Sequence, residues 1–311
     1  MVEGGLGARI VRAQGNSQIQ TGICSAAKGT RVGRMTVSEA LAEARRQLAG
    51  YAAGALEADL LLRHVLGVDR AWLYANGDRQ LDDRTEQHFR KLVAQRCEGQ
   101  PIAYITGVRE FWSLPLQVSP DVLIPRPDTE LLVEVALSFI PENTPYRVAD
   151  LGTGSGAVAL AIASERPGCE VHATEISPAA LKIAQSNGDR LLPGRVAFKL
   201  GSWFEPLETR FDLVVSNPPY IDANDRHLEE GDVRHEPRSA LTPGENGLAA
   251  IREIAPRAKE YLLPGGMLAF EHGFDQGAAA RRVLEDWGYV KTKTHQDLEN
   301  RDRVTSGRIR N

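Results

Sequence analysis

Apolar residues recur three or four positions apart between residues 35 and 107, a spacing typical of amphipathic helices. The pattern predicts a first helix that Thr36 or Ser38 caps and that ends at Gly50. Three more helices are predicted over residues 55–66, 69–74 and 82–98. No acid–base or metal-ligand cluster stands out in this part, so we expect a small helical bundle whose role is to hold a partner.

From residue 147 onward, short apolar runs alternate with helical periodicity. Strands are predicted over residues 148–151, 170–175, 196–200, 211–216, 266–271, 290–296 and 303–309. Helices are predicted over residues 157–165, 248–262 and 276–287, and another begins at Ser177-Pro178. This alternation predicts an α/β fold with a doubly wound, mostly parallel sheet. Because no helix separates the last two strands, we expect one antiparallel member.

Residues 108–125 lie between the two parts and are rich in β-prone apolar residues. They predict a β-hairpin linker with strands over 111–118 and 122–124 and a turn at Ser119-Pro120-Asp121. Phe111 and Trp112 are interpreted as core residues. Downstream, Asp128 or Thr129 is predicted to cap a helix. Arg126 is expected either to contact an acidic partner or to pair with Asp128 or Glu130.

The first 34 residues differ in composition from the rest of the 311-residue chain. They carry a charge of +4 with Glu3 as their one acid, whereas the remainder carries −8. We interpret residues 1–34 as a disordered extension. A start codon assigned too far upstream would produce such an extension, because Met35 makes a natural domain start. An organellar targeting peptide and a functional basic arm are the alternatives. The predicted domains are therefore residues 35–107, the linker 108–125 and a catalytic domain over 126–311.

Charge and composition exclude several classes of protein. The net charge of −4 and a pI near 6.0 disfavour a broad nucleic-acid-binding surface. No apolar stretch is long enough to span a bilayer. The three cysteines are widely spaced, form no metal-ligand pattern and suit a reducing cytoplasm. We therefore expect a cytoplasmic monomer that binds neither membrane nor nucleic acid and needs no metal.

A glycine-rich turn follows the strand predicted over residues 148–151. Such a turn alone is a weak signal, because dinucleotide-binding proteins use similar ones. Asp150, however, would repel a pyrophosphate but could bond a ligand amino group. Glu175 ends the next strand, where it could accept both ribose hydroxyls, and Trp203 follows the third, where it could stack on adenine or belong to the core with Phe204. This set predicts an S-adenosylmethionine site. Its residues are Asp150, Gly152, Thr153, Gly154, Ser155, Gly156, Glu175 and Trp203.

The segment Asn217-Pro218-Pro219-Tyr220 follows the strand predicted over residues 211–216. Its two prolines fix their own φ angles, and Pro218 also restricts Asn217. The Asn217 side-chain oxygen and the Pro218 carbonyl can accept both hydrogens of a planar NH2 group while the Tyr220 ring packs over it. We predict that Asn217, Pro218 and Tyr220 are catalytic. The chemistry is methylation of an amide or amino nitrogen.

With both motifs present, residues 35–311 closely resemble the HemK/PrmC family of release factor glutamine methyltransferases. Further matches are Arg109-Glu110-Phe111-Trp112, Ile124-Pro125-Arg126-Pro127-Asp128-Thr129-Glu130, Ile221-Asp222, Gly231-Asp232-Val233-Arg234 and Arg303-Val304-Thr305. The resemblance implies a helical N-terminal domain, a hairpin linker and a Rossmann-like class I methyltransferase domain with a seven-stranded sheet. It implies N5-methylation of the glutamine in the Gly-Gly-Gln motif of class 1 peptide chain release factors, with S-adenosyl-L-homocysteine as the other product. By position, it also implies that Asn217 contacts both cofactor and substrate and that Pro218, Pro219 and Tyr220 bind the glutamine. Glu175 departs from the family, where Asp is commoner, and the extension before Met35 matches nothing in it.

Three other functions share some of these features. A glutamine methyltransferase that acts on a ribosomal protein has the same tetrapeptide, but the N-terminal helices and residues 124–130 favour release factors. A DNA adenine-N6 methyltransferase would need base flipping and a basic surface, which the charge of −8 disfavours. A non-catalytic S-adenosylmethionine-binding module would have no need of Asn217 and Tyr220.

Overall fold

The computed structural model describes residues 34–243 and 247–311. The chain forms two compact units, the first ending at Val93 and the second spanning Ala94–Asn311. The sequence placed the end of the helical domain later, at residue 107. The interpretation of residues 1–34 falls, apart from Arg34, outside the described residues. Within the described part of the chain, no helix has the length and apolar content needed to cross a bilayer.

The first unit consists of helices α1 (Val37–Gln47), α2 (Gly54–Leu66), α3 (Arg70–Ala75) and most of α4 (Asp83–Cys97). Thr36 caps α1, because its hydroxyl accepts from the Glu39 amide at 3.3 Å while the Glu39 carboxylate accepts from the Thr36 amide at 2.9 Å. The helix ends at Gln47, before Gly50. The buried Asp59 carboxylate accepts from Arg45 at 2.7 Å. The four helices predicted for this part of the chain are therefore confirmed.

The second unit continues with α5 (Ile102–Thr106), a helix that was not predicted from the sequence. A hairpin of β1 (Val108–Phe111) and β2 (Leu114–Gln117) follows it. The chain does turn at Ser119-Pro120-Asp121, where the Val122 amide donates to the Ser119 carbonyl at 3.1 Å. The predicted hairpin at this turn is wrong, because residues 122–124 form no strand. The chain instead reverses at Trp112 and Ser113, whose φ angles are 52° and 60°. A two-residue turn of this kind normally carries Asn-Gly or Asp-Gly, so Trp-Ser gave no signal.

Tertiary contacts hold this unusual turn in place. The Trp112 amide donates to Glu130 at 3.1 Å, and its indole N–H donates to Glu165 at 2.8 Å. Phe111 is fully in the core, as predicted, while Trp112 packs at the edge of it.

A seven-stranded sheet forms the rest of the second unit, in the order β5-β4-β3-β6-β7-β9-β8. Its strands are β3 (Arg147–Leu151), β4 (Glu170–Glu175), β5 (Val196–Leu200), β6 (Phe211–Ser216), β7 (Leu262–Glu271), β8 (Val290–Gln296) and β9 (Asp302–Arg308). All pairs are parallel except those that β9 makes with β7 and β8. This confirms the mostly parallel sheet with one antiparallel member.

Helices cover both faces of the sheet, because strands buried on both sides need two apolar layers. They are α6 (Glu130–Phe139), α7 (Ala157–Glu165), α8 (Pro178–Leu191), the short α9 (Arg238–Leu241), α10 (Ala249–Tyr261) and α11 (Gly277–Asp286). Val148 of β3 joins the core formed with α6 and α7, whereas Ala149 and Leu151 face the core formed with α10 and α11. The predicted cap of α8 is confirmed, since the Ser177 hydroxyl accepts from the Ala180 amide at 3.3 Å.

The predicted cap of α6 is wrong. A 3₁₀ turn over Pro127–Thr129 precedes this helix, and Thr129 makes no capping hydrogen bond. Asp128 pairs with Arg303 at 2.9 Å instead, and Thr129 bonds to Asn217. Both side chains are therefore directed to the carboxyl edge of the sheet, where the functional motifs lie.

Candidate active site

The glycine-rich turn follows β3 and is held against the end of β4. Gly152, Gly154 and Gly156 have φ angles of 70°, 57° and 85°, which other residues rarely adopt. The amides of Gly152 and Thr153 both donate to the Thr174 carbonyl at 2.9 Å. A Cβ atom on Gly152 would lie 3.2 Å from the Trp203 ring, so glycine also makes room for that ring.

Asn187 fixes the far side of this turn, a role that the sequence did not reveal. Its buried side-chain NH2 donates to the Ser155 carbonyl at 2.9 Å and to the Gln117 carbonyl at 3.0 Å. Its oxygen accepts from the Gln117 amide at 2.7 Å. A signal was available, because Asn187-Gly188 is a poor helix-forming pair inside α8. Gly188 leaves space for the Phe198 ring, which a Cβ there would approach to 2.6 Å.

Asp150 lies beneath the glycine turn and is almost completely buried. Its carboxylate accepts from the Thr153 hydroxyl at 2.6 Å and from the Ala159 amide in the first turn of α7 at 3.2 Å. Burial raises the pKa of this carboxyl from its ordinary 3.8 to about 6, although both hydrogen bonds oppose the rise. Asp150 therefore shapes the turn from below, and its predicted bond to a ligand amino group stays a prediction.

The raised pKa of Asp150 should change how the stability of the protein depends on pH. The folded state holds the Asp150 proton more tightly than the unfolded state, so the free energy of unfolding falls as pH rises from about 3.8 to about 6. Between about pH 4 and about pH 7, the free energy of unfolding of the wild type should fall by about 2 kcal/mol more than that of an Asp150→Asn variant, which cannot titrate there. Urea unfolding at both pH values measures this difference. Exposed Asp189→Asn is the control, and an equal pH dependence in wild type and Asp150→Asn would contradict the assignment.

Glu175 stands at the end of β4 with its carboxylate directed to the glycine turn. One oxygen accepts from the Gly154 amide and the other from the Ser177 amide, both at 2.9 Å. Because each carboxylate oxygen has two lone pairs, each retains one acceptor site for a ligand hydroxyl. The side chain is thus fixed in place and still able to accept two more hydrogen bonds.

Apolar side chains flank Glu175 at the same sheet edge. Ile176 is 68% exposed and Leu200, which pairs with Glu175 across β4 and β5, is 52% exposed. Trp203 packs partly against the core and partly over Gly152, whereas Phe204 is fully buried, as predicted. Exposed apolar groups beside a polar acceptor suit a planar, apolar ring with an attached sugar. The sequence missed Ile176 and Leu200.

The tetrapeptide Asn217-Pro218-Pro219-Tyr220 leaves the end of β6, beside the glycine turn on β3. The Asn217 side-chain NH2 donates to the Thr129 hydroxyl at 3.1 Å. The Tyr220 hydroxyl donates to Glu271 at 3.0 Å, and its backbone carbonyl accepts from the Gln276 side chain at 3.0 Å. Burial raises the pKa of Tyr220, and the neighbouring Glu271 charge raises it further. The tetrapeptide is therefore tied to its surroundings through three separate polar groups.

A pocket of about 190 Å³ opens beside Asn217. That is smaller than the roughly 300–1,000 Å³ typical of sites for drug-sized ligands, so it has room for about one side chain. Its lining is mostly apolar and comprises Leu123, Arg126, Asn217, Pro218, Tyr220, Ile221, Val233, Ala240 and Leu241. Three of the four tetrapeptide residues thus face a single small cavity.

Arg126 closes one side of this pocket and pairs with Glu236, so its predicted pairing with Asp128 or Glu130 is wrong. The Glu236 side chain is fully buried, and its other oxygen accepts from the Ile124 amide at 3.1 Å. Burial raises the pKa of Glu236, which the Arg126 charge opposes. Asp232 in the same loop pairs with Arg96 at 2.8 Å. These contacts fix the loop after the tetrapeptide, through Glu236 against residues 124–126 and through Asp232 against Arg96 at the end of α4.

Glu271 is the last residue of β7, and His272 follows it directly, behind the tetrapeptide. His272 is fully buried and bonds through its two ring nitrogens to the Gly273 carbonyl and the Thr305 hydroxyl, both at 2.8 Å. Burial lowers its pKa. Across residues 34–243 and 247–311, no group of three or more His, Cys, Asp or Glu side chains could hold a metal ion.

Comparison with known proteins identifies the family. Residues 39–107 match the model of the PrmC N-terminal domain, and residues 128–235 match that of the methyltransferase small domain. The chain is 50% identical over 280 residues to the release factor glutamine methyltransferase of Vibrio cholerae serotype O1, covering 89% of this chain and 98% of that one. It is 52% identical over 254 residues to the same enzyme of Xylella fastidiosa strain 9a5c, covering 81% and 92%. The chain belongs to the release factor glutamine methyltransferase family.

Family membership confirms the resemblance and the fold class inferred from the sequence. Among solved structures, a methyltransferase from Pyrococcus furiosus superposes with a TM-score of 0.50 over 70% of this chain and 98% of that one. Its sequence is 18% identical, so this likeness shows the fold alone. Within the family fold, the predicted cofactor residues lie after β3, β4 and β5, and the tetrapeptide follows β6. Their individual roles stay predictions.

Proposed function

We propose that this protein transfers a methyl group from S-adenosylmethionine to the side-chain amide nitrogen of the glutamine in the Gly-Gly-Gln motif of class 1 peptide chain release factors. The observation that carries the proposal is the Asn217 carboxamide, bonded to Thr129 through its NH2 and lining a pocket with room for about one side chain. The names of the relatives at about half identity support the same substrate. We also propose that the protein acts as a cytoplasmic monomer.

The residues beside the glycine turn fit the cofactor. Glu175 has an unused acceptor site on each oxygen for the ribose hydroxyls, and Ile176, Leu200 and Trp203 offer apolar surface for adenine. When bound, S-adenosylmethionine supplies a methyl group activated by its positively charged sulfur. Glu175 and the amides of the turn would hold that cofactor and fix its position.

Asn217 and Pro218 then act on the glutamine. A primary amide nitrogen is a poor nucleophile, because its lone pair is delocalised into the carbonyl. The Asn217 side-chain oxygen and the Pro218 carbonyl accept hydrogen bonds from both N–H groups, which fixes the nitrogen and favours the positive charge that develops on it. As the N–C bond forms and the S–C bond breaks, S-adenosyl-L-homocysteine leaves, and one of the two N–H protons is lost to solvent. The Tyr220 ring covers the amide plane and keeps water away. Such positioning at about 3–3.5 Å contributes on the order of 7–11 kcal/mol to lowering the barrier.

A labelled-transfer assay tests this function. The purified protein is incubated with S-adenosylmethionine carrying a labelled methyl group and, in separate reactions, with a class 1 release factor, ribosomal protein or DNA. We expect label only in the release factor, and none in a release factor whose motif glutamine is replaced by alanine. Label that enters only ribosomal protein or DNA would overturn the proposal.

A further inference from the structure

The proposed function requires one particular orientation of the Asn217 carboxamide. An amide presents an oxygen that accepts hydrogen bonds and an NH2 that donates them. Only the oxygen can accept from the NH2 of a substrate glutamine. If the group turned over, two donors would face each other and the substrate nitrogen would lose its partner. The residues that prevent this reversal are therefore part of the catalytic apparatus even if they never touch the substrate.

Thr129 is placed to prevent it. Its hydroxyl accepts from the Asn217 NH2 at 3.1 Å, which directs the amide oxygen away from Thr129. The residue is 4% exposed and lies in the 3₁₀ turn before α6, where Pro127 restricts the backbone. A β-branched side chain has few rotamers, so the hydroxyl position is well defined. Contrary to the prediction from the sequence, the Thr129 hydroxyl does not cap α6 but accepts from Asn217 instead.

Glu271 is a buried carboxyl group that neighbours the hydroxyls of both Thr129 and Tyr220. The carboxylate is 1% exposed; its Oε1 accepts from Tyr220, and its Oε2 has no hydrogen-bond partner among the described residues. Burial raises the pKa of Glu271, and the nearby hydroxyls of Thr129 and Tyr220 oppose that rise together with the Arg303 charge. The Thr129 oxygen already accepts from Asn217, so its hydroxyl proton needs an acceptor of its own. The unpartnered Oε2 of Glu271 is a buried oxygen that can accept that proton.

We propose that Thr129 and Glu271 are positioning residues for methyl transfer, with Glu271 orienting the hydroxyls of Thr129 and Tyr220 and Thr129 in turn orienting the Asn217 carboxamide. One buried carboxylate thereby fixes both the polar and the aromatic part of the tetrapeptide. This inference rests on the proposed function, and it adds the two residues that make Asn217 an acceptor.

The test compares Thr129→Val, which keeps the shape but removes the hydroxyl, with Thr129→Ser, which keeps the hydroxyl. Outer-shell partners of a reactive group typically contribute about 10–100-fold, so Thr129→Val should lower kcat by about that factor while the KM for S-adenosylmethionine stays unchanged. Thr129→Ser should restore most of the lost kcat. A double variant with Asn217→Ala should be no slower than Asn217→Ala alone, because the hydroxyl acts only through that side chain.

The outcomes separate this inference from the proposed function. A wild-type protein that fails to label release factor sinks the proposed function. If the wild type labels release factor, two results would contradict the inference alone. One is a folded Thr129→Val variant whose kcat equals that of the wild type. The other is a loss of kcat in Thr129→Val that adds to the loss in Asn217→Ala. If Thr129→Val does not melt cooperatively, Glu271→Gln takes its place, since its amide has one accepting oxygen where the carboxylate has two. It should lower kcat by about 10–100-fold at unchanged cofactor KM, and unchanged kcat in Glu271→Gln would be equally decisive against the inference.

Discussion

Asn217→Ala is expected to lower kcat by about 10²–10³-fold, the loss that follows removal of one preorganised polar group at a reacting centre. The variant loses the side-chain oxygen that would accept from the substrate amide, while the Pro218 carbonyl remains. The NH2 that now bonds to Thr129 is lost as well, so the hydroxyl turns to other partners. Single-turnover methyl transfer to release factor, at saturating cofactor, measures the chemical step directly.

Asn224→Ala is the matched control for this variant. Asn224 is exposed in the loop that follows the tetrapeptide, and its side chain lines no part of the pocket. It undergoes the same chemical change and should retain wild-type kcat. Full turnover by Asn217→Ala would show that the nitrogen is held by other groups and would refute the assignment.

Gly247→Ala is expected to lower kcat by about 10²-fold, because a displacement of about 1 Å at a reacting centre has an effect of that size. A Cβ atom at this position would lie well inside 3.0 Å of the Tyr220 carbonyl oxygen, a distance that real Cβ atoms do not show. That carbonyl already accepts from Gln276 at 3.0 Å, so it cannot retreat without breaking the bond. The tetrapeptide must therefore shift. Methyl-transfer kinetics, with thermal melting to show that the variant folds, provide the measurement.

Gly50→Ala is the control for the glycine change. No atom lies within 4 Å of a Cβ built at Gly50, so alanine fits there without strain. Its kcat should equal that of the wild type. A Gly247→Ala variant as active as Gly50→Ala would mean that the tetrapeptide tolerates displacement, contrary to the rigid arrangement proposed for it.

The sheet could be predicted because its signals are local. The strands predicted over residues 170–175, 196–200, 211–216 and 290–296 match β4, β5, β6 and β8 to the residue. Strand β6 reads as an apolar run because it is buried on both faces, whereas the edge strand β8 is partly exposed and mostly polar. Strand β7 begins at Leu262 rather than residue 266, since Leu262 pairs with Phe211 ahead of an irregularity that no periodicity indicates. Helix α5 was not predicted, because its five residues, Ile102–Thr106, are too few to show a helical periodicity.

The hairpin could not be predicted, because its turn depends on contacts made far along the chain. Trp112 and Ser113 adopt positive φ angles, while Glu130 accepts from the Trp112 backbone amide and Glu165 accepts from its indole N–H. Ser119-Pro120-Asp121 has the stronger local turn signal and forms no hairpin. Tertiary structure here overrides local preference.

The sequence revealed the two functional motifs but not the residues that hold them in place. The glycine turn and the tetrapeptide each carry a local spacing that can be recognised, and both lie at the carboxyl edge of the sheet. The groups that hold them do not, because Thr129 and Asn217 are 88 residues apart and Arg126 and Glu236 are 110 apart. Thr129 even carried a misleading signal, since a threonine before an apolar helix normally caps it. Among these supporting residues, Asn187 alone had a local signal, because Asn187-Gly188 is a poor helix-forming pair inside α8.

Strand β9 enters the sheet between β7 and β8, although it follows both along the chain. Without the segment from residue 302 onward, β7 would expose a row of unpaired backbone groups and β8 would lose its neighbour. An open, flat edge of this kind is a template for pairing with another molecule. Premature termination or proteolysis before residue 302 is therefore expected to yield aggregates rather than a shorter working enzyme.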